Sequence, residues 1–205
     1  MKKFIFMSLV AVAAMLTGCS SCHSDNAKQE KKETVYHDYD GVVQDFTAGV
    51  AHIQSLHKQT MYALNGGDYD WRNSKVTLSE DITAESIDDL HVVDVTDVFQ
   101  LFVPDPVVQF VSSNVKKGTI LPWPMHDLWI EDASLNDAQI KVTAEQALQR
   151  LKEWNGVIPK KAKTISLRLP VGPKRCNAQW VIGDIFNPLF IDAVTGEIRD
   201  SNPAF

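Results

Sequence analysis

The sequence predicts an α+β fold in which amphipathic helices pack on small antiparallel sheets behind a long N-terminal helix. Three observations carry this. Ala144, Ala147, Leu148, Leu151 and Trp154 recur at helical spacing. From residue 164 the period changes to two, with Ile165, Leu167 and Leu169 alternating with Thr164, Ser166 and Arg168. Thr195-Gly196 then turns the chain between two further short strands. A helix this short is marginal alone, and so is a hairpin, so each needs the other's apolar face.

Residues 1–18 have the form of a targeting segment. Lys2-Lys3 precede a short apolar run over residues 4–15, too short to span a bilayer comfortably. Leu16-Thr17-Gly18-Cys19 resembles the lipobox of bacterial lipoproteins, so Cys19 is the expected lipidation site and the acyl chains would anchor the protein without spanning. Neither Ser20 nor Ser21 is the Asp that retains some lipoproteins in the inner membrane, so an outer-membrane address, on its periplasmic or surface face, is expected. Cys19-Ser20-Ser21-Cys22 also matches C-x-x-C, but lipidation consumes Cys19 and no strand precedes the pair, so redox chemistry is not expected. Cys22 is expected as a tether thiol and Cys176 as a partly buried one. Residues 19–39 are the lipidated Cys and a polar tether; a coil over residues 20–34 would span roughly 20–25 Å.

Residues 40–141 form the N-terminal α+β region. Asp40 can cap a helix over residues 41–64, with Val43, Phe46, Val50, Ile53 and Leu64 on its apolar face and Asn65-Gly66-Gly67 ending it. His52 and His57 lie about 140° apart round that helix, so one surface His and one packed His are expected rather than a metal pair. The stretch from Asp68 to Asn73 begins like a calcium loop but lacks the required Gly and Glu, so a strand with Tyr69 and Trp71 on one face is expected. Residues 82–133 match later residues in order. Ile82-Thr83-Ala84-Glu85 matches Val142-Thr143-Ala144-Glu145, the strand and prolines at 101–106 match those at 167–173, and Leu128 to Ala133 matches Leu189 to Ala193. Two readings stay open: a divergent tandem copy, or chance agreement of short strand motifs.

Residues 142–205 form the last unit. Thr143 and Gln146 have capping-box spacing, Glu145 suits the first turn, and Asn155-Gly156 with Pro159 stops the helix. Pro170-Val171-Gly172-Pro173 breaks the first strand, and Trp180 and Ile182 share a face of the next. Val142 to Leu148, Gln179-Trp180 and the run from Phe190 to Ile198 resemble the PepSY domain, found in propeptides of secreted metallopeptidases and in bacterial envelope proteins. The turn from Asp192 to Glu197 is the most specific part. The resemblance implies a non-enzymatic module that binds or restrains a peptidase, and the match at 82–133 implies a second, divergent PepSY-like unit.

A net charge of −6 and a pI near 5.5 disfavour nucleic acid as a partner. HExxH, GxSxG, P-loop and GxGxxG patterns are absent, and His and Cys lack zinc spacing, so neither cofactor nor metal is expected. His126-Asp127 is read as loop. Two functions are therefore expected, the first implied by the PepSY resemblance and the second read from the aromatic residues. One is an envelope lipoprotein gripping a peptide or peptidase, for example by strand addition at an open sheet edge. The alternative is an accessory lipoprotein binding a glycan or small ligand in an aromatic groove, with Trp123, Trp129 and Trp180 as candidate binding residues and Trp123 the most exposed.

Overall fold

A computed structural model describes residues 46–102, 106–114, 118–119, 123–126 and 128–205. The targeting segment, Cys19, Cys22, the tether and the Asp40 cap lie outside the described residues. Helix α1 (Phe46–Asn65) precedes β1 (Tyr69–Leu78), β2 (Val92–Phe102), β3 (Pro106–Asn114), β4 (Gly118–Thr119) and β5 (Trp123–Met125). A 3-10 turn at Asp137–Gln139 leads to helix α2 (Ala144–Lys152), then β6 (Thr164–Arg168), β7 (Gln179–Ile182), β8 (Leu189–Asp192) and β9 (Ile198–Arg199).

The expected small sheets are joined into one. Among the described residues the antiparallel sheet has nine strands: eight run in the order β4-β3-β2-β1-β6-β7-β8-β9, and β5 pairs with β3 beside them. The join is the β1–β6 ladder, from Asn73 opposite Arg168 to Thr77 opposite Thr164. Each helix leads into a meander that steps outward from this central pair. Residues 40–141 and 142–205 thus meet in one sheet, and a single apolar cluster includes Val50, Ile53, Phe99, Leu148, Leu167 and Trp180.

Alternation decides which side each strand buries. Val76, Val95, Ile165, Leu167, Trp180, Ile182 and Ile191 are buried, and Gln54 of α1 donates to Ser74 on this helix-covered side. Trp180 is 1 % exposed, and its indole N–H donates to the Val142 carbonyl at 2.8 Å, tying β7 to the start of α2. The α2 cap forms as its spacing predicts: Thr143 Oγ1 accepts from the Gln146 amide, and the Gln146 side chain accepts from the Thr143 amide.

Three expectations change. Leu64 is exposed rather than on the buried face of α1, because the buried stripe ends at Met61 and the positive φ of Gly66 and Gly67 leads the chain away into β1. Residues 84–89 form a turn, not a helix. Thr83 and Ser86 exchange side-chain bonds with each other's amides, but the chain must deliver Ile82, Ile87 and Leu90 to the core within nine residues and then enter β2. The unit expected at residues 82–133 therefore lacks its helix. In the observed topology α1 and β1 stand where α2 and β6 stand in the later half, one strand earlier than the sequence matches imply.

The opposite side of the sheet is covered unevenly. Over the first half, residues 128–135 cross it. The Trp129 amide donates to Gln100 Oε1 at 2.7 Å, and its ring meets Phe110 edge-on at 6.2 Å. Over β6, β7 and β8 this cover gives way to a cleft.

Candidate functional site

The cleft has a volume of about 320 Å³. Its floor is the cross-strand pair Val181 and Phe190, which the register of β7 and β8 sets opposite each other on the side away from the helices. Arg168 at the end of β6 closes one side. The Arg168 side chain is fixed from below. Its Nε donates to Asp132 Oδ1 at 2.7 Å, and Asp132 Oδ2 accepts from Asn73 Nδ2 at 3.0 Å and from the Trp129 indole at 3.1 Å. Asp132 is buried and bridges to Pro170 through its backbone, so one carboxylate locks the crossing segment to β1 and β6. Glu131 reaches Arg168 Nη2 at 3.4 Å from the exposed rim.

Residues 183–188 make the opposite wall. Gly183 has φ 93°, and a Cβ there would lie 2.5 Å from the Asn187 carbonyl and 2.9 Å from Pro159, so only Gly allows this close return. Asp184 Oδ1 accepts from the Phe186 and Asn187 amides at 2.9 and 3.0 Å. This turn points Ile185 and Phe186 outward, 85 % and 81 % exposed. Folded monomers expose single apolar residues routinely, but two adjacent bulky ones on a braced turn beside a cleft are the kind of surface that a partner covers. Val171 is exposed across the cleft, next to Gly172, whose missing side chain leaves room for Ala204 of the C-terminal residues.

The turn from Asp192 to Glu197 is built as its residues suggest. Asp192 Oδ1 accepts from the Val194 and Thr195 amides, Gly196 has φ 77°, and Thr195 Oγ1 accepts from the Glu197 amide. Burial pushes the Asp192 carboxyl up, but the Thr195 and Val194 amides and the Asn177 and Gln179 side chains outweigh it, and the net shift is downward. A folded-state pKa below the unfolded one stabilises the protein above the unfolded value and loses that stability as pH falls through the folded value. Asp192→Asn, which keeps the turn acceptor, is therefore expected to flatten the loss of stability below about pH 4, read from thermal unfolding as a function of pH.

A Ser–His–Asp chain lies elsewhere. His57 Nδ1 is 2.6 Å from Asp97 Oδ2 and His57 Nε2 is 2.7 Å from Ser113 Oγ, while the Trp71 indole donates to Asp97 Oδ1 at 3.0 Å. Both His57 and Asp97 are 0 % exposed, between α1 and the sheet. A hydroxyl there meets no substrate, so the chain is a structural tie. His52 is exposed, giving the expected division between a surface and a packed His.

Of the three candidate Trp residues, Trp180 is set apart from Trp129 by the sheet itself. Trp123 lies on β5, opposite Phe110 in the ladder with β3. Trp129 is half-buried and reaches the cleft only through Asp132. Trp180 is sealed on the helix-covered side and is no binding residue, because the alternation that pairs it with Leu167 and Ile191 turns it into the core. No family model, curated protein or solved structure matches this chain. The function must then be argued from the cleft itself. The residues that sequence reasoning missed are Arg168, Val171, Val181 and Ile185 of the cleft, and Phe186 beside it on the same turn. A signal existed for the last two: Ile185-Phe186 sits between Gly183-Asp184 and Asn187-Pro188, so bulky apolar residues occupy a stretch whose flanks have turn chemistry.

Proposed function

We propose that this protein is a non-enzymatic lipoprotein of the bacterial cell envelope, anchored through Cys19, whose C-terminal half grips a peptide segment of a protein partner such as a peptidase. The observation that carries this reading is the braced pair Ile185 and Phe186 beside an apolar-floored cleft. Burying two such side chains is worth about 1.5–3 kcal/mol each. The PepSY-like turn, the capping box and the lipobox are compatible with the same role.

The mode of grip differs from strand addition. Among the described residues the outermost strands are β4, β5 and β9, two or three residues each, which offer little ladder to a guest strand. Contact through side chains on the open face is the better account. The glycan reading loses Trp180, which is buried, and the cleft beside Ile185 and Phe186 favours the peptide reading over it.

A soluble form lacking residues 1–19, used as bait on solubilised envelope, is expected to capture protein, and Ile185→Ser with Phe186→Ser is expected to release it while keeping thermal stability. Glycan-array signal with no captured protein would contradict the reading. For the anchor, Cys19→Ser is expected to abolish acyl labelling and leave unprocessed precursor; undiminished labelling would count against Cys19.

A further inference from the structure

We infer that the cleft selects a partner segment carrying a bulky apolar side chain flanked by Lys or Arg. This rests on the peptide-gripping reading above and names the chemistry of its ligand. A cleft of about 320 Å³ is at the small end of the roughly 300–1,000 Å³ of small-molecule sites, and suits one large side chain with its flanking backbone. Val181, Phe190 and Pro188 give that side chain an apolar seat, with Ile185 and Val171 on either side.

The charges around the seat do not cancel. Arg168 is the cation of the cleft, and the buried Asp132 takes its Nε at 2.7 Å. Arg199, opposite Phe190 on the same side of the sheet, is held by both carboxylate oxygens of Glu197. Lys75 stands two strands from Val181, beyond Ser166. Glu131, which shares Arg168 with Asp132 at the longer distance of 3.4 Å, and Asp184 leave the described cleft residues with more carboxylates than cations; both are exposed, on opposite rims. The Asp184 carboxyl spends one oxygen on the Phe186 and Asn187 amides, which leaves its charge facing the cleft mouth. An apolar seat between two carboxylates complements an apolar residue between two cations, and repels the same residue between acids.

Three labelled peptides and one double variant test this on the full chain in detergent micelles, by fluorescence anisotropy. The first peptide has a Phe with two Lys on each side, the second replaces Lys with Glu, and the third replaces Phe with Ser. The Lys–Phe peptide is expected to bind, the Glu–Phe peptide at least tenfold more weakly, and the Lys–Ser peptide not measurably. Glu131→Gln with Asp184→Asn keeps the amide acceptor of the 184 turn. It is expected to weaken the Lys–Phe peptide about three- to tenfold, the range for two exposed charge pairs, and to flatten its salt dependence. Equal binding of the Lys and Glu peptides, or an unchanged affinity in the double variant, would overturn the charge selection and leave the cleft reading standing. Equal binding of the Phe and Ser peptides, or no binding of any, would overturn both. Unchanged thermal unfolding of the double variant separates a binding effect from a folding one.

Discussion

His57→Ala is expected to lower the free energy of unfolding by about 3–5 kcal/mol, the cost of removing a fully buried ring together with its hydrogen bonds to Asp97 and Ser113. The Asp97 carboxyl sits at 0 % exposure between α1 and the sheet, with His57 Nδ1 at one oxygen and the Trp71 indole at the other. Without the imidazole, Asp97 Oδ2 loses its 2.6 Å partner, Ser113 Oγ loses its 2.7 Å one, and a cavity opens where a ring stood. Adding Asp97→Asn to His57→Ala is expected to recover part of the loss, because an amide is cheaper to leave underbonded than a carboxylate. Urea denaturation of the single and double variants gives both numbers. A loss below about 1 kcal/mol for His57→Ala would mean the tie does not hold α1 to the sheet.

Leu148→Asp is expected to cost more than about 4 kcal/mol, since it puts a carboxylate with no partner into a fully buried site. Its reach distinguishes one sheet from two domains. Leu148 belongs to the same apolar cluster as Val50 and Phe99, and β6 is hydrogen-bonded to β1 along five residue pairs. The N-terminal strands should therefore lose protection together with the C-terminal ones in hydrogen exchange. Native protection persisting in β2 and β3 of the variant would mean that the halves fold separately.

What the sequence made legible is local. The α2 cap is written in Thr143 and Gln146, three residues apart, and the turn at 192–197 in an Asp whose side chain meets amides two and three residues on. Strand β6 is legible because its alternation is complete within five residues, from Thr164 to Arg168. The joining of the halves was not legible. Residues 73 and 168 are far apart in the chain, and the period-two pattern of β1 and β6 is the same whether they pair with each other or stand at separate edges. The unit expected at residues 82–133 did not form because the matches rested on a strand followed by prolines, which reports how a strand ends and not its place in a sheet. Trp180 was misjudged for a related reason. Alternation assigns Trp180 and Val181 to opposite sides, but which side the helices cover is decided by long-range packing. The cleft depends most on such packing, since its floor comes from β7 and β8, its cation from β6, and the brace of that cation from Asp132 in the crossing segment.

The central claim is that the 183–188 turn is a contact surface in the working protein. A photo-crosslinking amino acid in place of Ile185 tests it in intact cells, with Tyr62, 64 % exposed near the end of α1, as the comparison position. A discrete protein adduct is expected from position 185 and none from position 62; no adduct at 185, or the same adduct from both positions, would mean that the turn is not a contact surface.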